Sequence, residues 1–196
     1  MPSDQELSLA KDTLLDYSQK LGDEIIEREV FEQDSNVIGF TALDETYSAY
    51  YNVYGTPQFE FFQVMFRFSL SRTIANRLGE ETVTELVDKE ENPRDVGNEI
   101  INKHDETELE WLEYQLKQRV LNSDTFCEID TTEKGKMNGF SVFSLVFPYE
   151  DNFSLSDYYS STEAVLNTGE KGSDYLHHSV QVSETDDEDI ELNIRI

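Results

Sequence analysis

Residues Thr46 to Phe68 alternate so regularly that they leave few folds open to the chain. Tyr47, Ala49, Tyr51 and Val53 point one way and Tyr50 and Tyr54 the other. After the turn chemistry of Gly55-Thr56-Pro57-Gln58, the run Phe59 to Phe68 places Phe62, Val64, Phe66 and Phe68 on one face. A period of two, carried by aromatic and β-branched residues around a Gly-Pro turn, predicts two adjacent antiparallel strands at the centre of a meander. A sheet with one oily face needs a cover, and the flanking sequence supplies helices.

The first cover, expected to lie over Phe62, Val64 and Phe66, is the opening segment, where Leu7, Ala10, Leu14, Tyr17 and Leu21 recur at helical spacing. Ser3 with Glu6 forms a capping box at its start, and Gly22 suits its end. Ile25 to Glu32 then reads as a strand, Asp34-Ser35-Asn36 as a turn and Val37 to Leu43 as a second strand. Beyond the meander, Ser69 caps a helix with Leu70, Ile74 and Leu78, which Gly79 should stop. Glu80 to Asp88 continues as a short helix, and the stretch from Glu90 to Gly97, with Pro93, reads as a loop. Asp105 with Glu108 opens a further helix whose stripe is Leu109, Leu112, Leu116 and Val120. Trp111 and Tyr114 lie off that stripe, so they are candidates for contact with another element or a partner.

The second half echoes the first. Phe126 to Asp130 is a short strand, Glu133 to Gly139 a turn, and Phe140 to Phe147 a strand ended by Pro148. Ser154 with Asp157 caps a helix running to about Leu166, after which Gly169 and Gly172 should break it. Asp174 to Val182 fits either period. These elements predict an α+β fold, an antiparallel sheet packed by helices: one domain over residues 1–182, with a helical insert around 80–122. An acidic linker, 183–189, then leads to a C-terminal strand, 190–196. In that strand Ile190, Leu192, Ile194 and Ile196 alternate with Glu191, Asn193 and Arg195. It should pair with the edge of its own sheet or, by exchange, with a neighbouring chain as in a homodimer.

Charge bounds the partners. With 42 acidic against 15 basic residues the net charge is -27, which repels phosphate backbones and anionic lipid, so neither nucleic acid nor a membrane is an expected partner. The acids occur in every segment instead of one phosphate-like track. That dispersal reads as adaptation to high salt, of the kind found in halophilic archaea and their viruses, over an acidic imitation of nucleic acid. The single cysteine, Cys127, permits no internal disulfide, and the N-terminal residues lack the basic and apolar regions of a signal peptide, so a cytoplasmic location is expected.

Nothing in the sequence writes out a reaction. His177 and His178 are adjacent and point apart, which does not suit one ion, and Asp186-Asp187-Glu188-Asp189 lacks the spacing and central Gly of a calcium loop. Neither a nucleophile elbow nor a phosphate-binding glycine pattern can be laid on the chain. No catalytic residue, cofactor or metal ligand is therefore assigned. Arg67 reads as a solvated residue on the outer sheet face, with a carboxylate partner as the alternative.

Phe59 to Leu78, and Phe140 to Leu166 with Val146-Phe147-Pro148-Tyr149 and Phe153-Ser154-Leu155-Ser156, resemble the YbjN-type, type III secretion chaperone-like families. The Phe-Pro-Tyr-Glu step is also similar to one in uncharacterised haloarchaeal proteins. The resemblance implies a protein-binding scaffold and brings no catalytic residue. The expected function is thus a non-enzymatic chaperone-like or adaptor domain that binds a protein partner or itself. Trp111, Tyr114, Ile190, Leu192, Ile194 and Ile196 are the candidate contacts. A structural part in a larger assembly, such as a virion or surface appendage, is the alternative, and a small carboxylate hydrolase comes third.

Overall fold

The computed structural model describes residues 1–27, 37–86, 93–121, 123–184 and 190–195. In chain order the elements are α1 (Asp4–Leu21), β1 (Glu24–Glu27), β2 (Ile38–Asp44), β3 (Ala49–Gly55), β4 (Phe62–Ser69), α2 (Leu70–Leu86), α3 (Pro93–Lys103), α4 (Glu106–Val120), β5 (Phe126–Thr131), β6 (Met137–Val146), α5 (Leu155–Ser179), β7 (Val180–Glu184) and β8 (Ile190–Ile194). A six-stranded sheet has the order β1-β2-β3-β4-β6-β5, and β7 with β8 forms a separate pair. This is a mixed α+β architecture with antiparallel strand pairing, helices packed on it and a short C-terminal strand. The chain divides into two compact units, Met1–Phe66 with Asn122–Phe126 and Val142–Glu170, and Arg67–Leu121 with Cys127–Ser141 and Lys171–Ile196.

In the first unit the expected capping box starts α1: Ser3 Oγ accepts from the Glu6 backbone N–H at 3.3 Å, and a Glu6 carboxylate oxygen accepts from the Ser3 N–H at 2.8 Å. Gly22, at φ 97°, ends the helix in the left-handed conformation that disfavours a Cβ. Leu7, Ala10 and Leu14 are buried, and α1 packs over β1, β2 and β3. Antiparallel register sets Phe40 opposite Val53 and Val53 opposite Val64, so the expected inward stripe forms one continuous core layer. Two details differ from expectation. Strand β4 begins at Phe62, because the Phe59 N–H is held by the Thr56 carbonyl in the turn. Phe66 lies under α5 rather than α1, against Gly169.

The second unit is largely helical. Ser69 Oγ accepts from the Arg72 N–H at 3.3 Å, and α2 runs through Gly79 to Leu86. The expected loop at Pro93 is the start of α3. Proline suits a first helical turn, where its missing N–H has no intrahelical partner. Gly97 explains why the helix is there: a Cβ on it would sit 2.1 Å from the Ser71 carbonyl oxygen, so only glycine allows α2 and α3 to cross this closely. On α4, Leu109, Leu112, Leu116 and Val120 are buried as the stripe predicted.

The glycines expected to break the last helix do not. Helix α5 runs 25 residues, to Ser179, because Gly169 faces Phe66 in the first unit and Gly172 faces Phe140 and Val120 in the second. Packing at these two positions outweighs a helix penalty of about 1 kcal/mol per glycine. The ambiguous segment after them ends as β7, and β8 pairs with it antiparallel, Val182 opposite Leu192. The C-terminal strand therefore pairs within its own chain, with β7 and not at the edge of the six-stranded sheet. Ser183 and Glu184 belong to β7, and residues 185–189 of the expected linker lie outside the described residues.

Candidate functional site

One face of the sheet in the first unit carries a row of exposed and half-buried aromatic side chains. Strand alternation turns Tyr51, Val53, Phe62, Val64 and Val146 inward, and it must turn Tyr50, Phe61, Phe143, Leu145 and Phe147 outward. Phe59 stacks on Phe61 at 5.0 Å between ring centroids, and Phe61 meets Phe147 edge to face at 6.2 Å. Phe126 stacks on Phe143 at 5.3 Å. Phe126 is 56% exposed, Phe59 52%, Tyr50 59% and Phe147 40%. Exposed apolar residues are ordinary when scattered; ring rows on one sheet face are less so.

Phe147 also lines a cleft of about 200 Å³ with Leu145, Glu150, Asn152, Phe153 and Asp157. The loop after β6 builds it. The Glu150 N–H donates to the Phe147 carbonyl and the Phe153 N–H to the Glu150 carbonyl, two tight turns that bring Phe153 back beside the strand. Phe153 is held from behind by Tyr17, whose ring lies 6.1 Å away. The expected capping box then starts α5: Asp157 accepts from the Ser154 N–H at 2.9 Å and from its hydroxyl at 2.6 Å, which holds the Asp157 carboxyl below the usual range. Glu150 is exposed and forms no ion pair among the described residues.

The electrostatics of this unit are one-signed. Along its three segments the basic residues are Lys11, Lys20 and Arg28, and Val142 to Glu170 contains no Lys, Arg or His. Burial and the nearby Glu6 and Glu60 carboxylates raise the Tyr149 phenol above its ordinary value.

Under α1 lies a buried polar network that the sequence reading missed. Tyr51 Oη donates to the Asp23 carboxylate and lies 3.0 Å from Ser18 Oγ, which is 2.7 Å from Tyr158 Oη. Asp23 is 8% exposed. Burial raises its pKa, the Tyr51 hydrogen bond lowers it, and neighbouring Asp44 raises it again. Burial likewise pushes Tyr158 up to about 12. The network ties α1, β3 and α5 together. Ser18, Tyr51 and Tyr158 are buried with Asp23. Tyr51 looked purely apolar in sequence because alternation does not report what its hydroxyl meets.

The residues singled out from sequence fall elsewhere. Trp111 is half-buried and Tyr114 exposed, both on α4 in the second unit. Leu192 is buried on β8, which packs on α3 and α4, so its apolar surface is used within the chain. Ile194 is half-buried; Ile190 lies on β8, and Ile196 is outside the described residues. Arg67 points outward and pairs with Asp130 at 2.8 Å, which unites its two sequence readings. Phe59, Phe61 and Phe147 went unnoticed, although the run Phe59-Glu60-Phe61-Phe62 puts rings on both parities of one strand approach, a signal that some must face out.

The histidines are engaged separately. His104 contacts Glu108 at 2.8 Å, His177 packs edge-on to Phe68 beside Arg77, and His178 donates to the Asp174 carbonyl. Among the described residues no group of three or more His, Cys, Asp or Glu is disposed to hold a metal ion. Among them, too, no helix is long and apolar enough to cross a membrane.

No protein-family model matches the chain, and no curated protein matches it in sequence. In fold it is similar to an uncharacterized protein from Methanothermobacter thermautotrophicus, known from a crystal structure. The identity is 9% and the TM-score 0.58, over 86% of this chain and 97% of that one. At such identity the likeness is one of fold alone.

Proposed function

We propose that the chain is a non-enzymatic protein-binding domain, adaptor-like or chaperone-like, of a salt-adapted organism. It docks an apolar segment with basic flanks from another protein on the aromatic face of its sheet. The observation that carries this reading is the ring row in which Phe59 and Phe147 are exposed on either side of the half-buried Phe61. Aromatic anchors on a rigid sheet lose little side-chain entropy on binding, which is why such residues dominate interface energies. Charge selects the partner: an acidic surface steers in basic segments and repels acidic ones. The resemblance to type III secretion chaperone-like families, whose sheets carry a packed helix and bind protein clients, agrees with this reading.

Tagged wild-type chain and the double variant Phe59→Ser with Phe147→Ser test it in extracts kept at native salt. The wild type should recover one stoichiometric partner, and the variant should lose it by about tenfold or more while melting at an unchanged temperature. Equal recovery by both refutes docking on this face. Recovery only within a large particle favours the structural component of an assembly.

A further inference from the structure

We propose that the cleft beside Phe147 receives the guanidinium side chain of an arginine in the docked segment. This rests on the face being a docking surface, and it names the partner's chemistry at one position. At about 200 Å³ the cleft is smaller than sites for drug-sized molecules, which run from about 300 Å³, so it suits one long side chain. Its wall supplies what an arginine uses: the Phe147 and Phe153 rings for the apolar stem and the flat cation, and the Glu150 carboxylate for the N–H fork. Asp157 adds negative potential, but the Ser154 N–H and hydroxyl both use its Oδ2, so Glu150, which forms no ion pair among the described residues, is the principal acceptor. The Asn152 side chain completes the polar rim.

Other occupants fit less well. An anion would enter a stretch, Val142 to Glu170, without any basic residue. A purely apolar side chain would desolvate Glu150 with nothing in return. Lysine would keep the charge but lose the planar stacking and the bidentate contact. Phe147 belongs to both the cleft and the ring row, so an arginine here lies next in line to apolar residues seated on Phe59 and Phe61.

The test uses the isotope-labelled full chain at one fixed salt concentration and two capped peptides, acetyl-Leu-Phe-Arg-Phe-amide and its citrulline counterpart, which keeps the shape without the charge. The arginine peptide should shift the amides of Phe147, Glu150, Asn152 and Phe153. It should bind about 5-fold more tightly than the citrulline peptide, the scale of a cation–π contact with a charge-assisted hydrogen bond. Glu150→Gln should cut that preference to about 2-fold, the share of the cation–π contact with the rings, and leave the citrulline peptide's affinity unchanged. Equal affinities in the wild type, or an arginine preference that Glu150→Gln leaves undiminished, overturn the assignment while shifts at Tyr50, Phe59 and Phe61 still uphold the docking face. Absence of shifts on the face as well overturns both.

Discussion

In most helices, replacing an interior glycine by alanine stabilises by about 1 kcal/mol, since alanine has less backbone freedom to lose. Gly169→Ala in α5 should do the opposite. A Cβ built there lies 2.4 Å from Phe66 Cδ1, 2.6 Å from Cγ and 2.9 Å from Cε1. Carbon atoms prefer about 3.5 to 4.0 Å, so the contact is short by more than ~1 Å. Cγ is the root of the ring, tied to the strand through one carbon, and Phe66 is buried, so rotating the tip gives no relief. Overpacking of this kind costs about 1 to 3 kcal/mol. Taking its upper end less the helix gain leaves a net loss of about 2 kcal/mol, or roughly 4 to 8 °C in melting temperature for a chain of this size. Thermal melts followed by circular dichroism in molar KCl measure it. Ser160→Ala, at an exposed position of the same helix, serves as the control and should change little. Phe66→Leu in the Gly169→Ala background should show a favourable coupling of about 1 kcal/mol or more, because the smaller side chain vacates the clash. A melting temperature that rises with Gly169→Ala would refute the packing of α5 on β4 at this point.

Two further predictions concern charge. The melting temperature of the wild type should rise markedly from dilute buffer to molar KCl, where screening acts within about 3 Å and relieves repulsion among the 42 acidic residues; an unchanged midpoint refutes salt adaptation. Asp23 holds a proton more tightly in the folded chain than in the unfolded one, because of its burial and because of Asp44. Its contribution to stability is therefore fully present below the ordinary aspartate range and is lost as pH rises through the folded pKa. Asp23→Asn, which keeps an acceptor for Tyr51, should melt higher than wild type at pH 7 and converge with it as the pH falls toward 4. A difference that is constant across that range would show that Asp23 does not titrate differently in the fold.

Much of this architecture was legible in sequence wherever local chemistry decides the outcome. Ser3 with Glu6, Ser154 with Asp157, and Gly22 act on their own helix ends, and the structure has all three. Alternation from Tyr51 to Phe68 reports which side a residue takes, and Tyr51, Val53, Phe62, Val64, Phe66 and Phe68 are all buried. The misreadings lie where a distant element decides. Gly97, Gly169 and Gly172 look like punctuation until Ser71, Phe66 and Phe140 are seen against them. Likewise the alternation of Ile190 to Ile196 announces a strand, but its partner, Val180 to Glu184, has no distinct pattern of its own. The aromatic face was half legible, since Tyr50 had to point outward; the cleft was not, because two turns after Phe147 make it.

The two units are each assembled from three stretches of chain, and this bears on how the protein is made. A ribosome delivers Met1 to Phe66 ahead of the other stretches, and with it β3 and most of β4, whose inward faces present Tyr51, Val53, Phe62, Val64 and Phe66. The helix that carries Gly169 onto Phe66 emerges only after α2, α3, α4, β5 and β6 have been synthesised. For that interval the nascent chain holds two strongly apolar strands without their full cover, the kind of intermediate that aggregates between neighbouring polysomes. Acidic residues distributed along the early segments repel one another between such half-built chains, a force that acts against this aggregation.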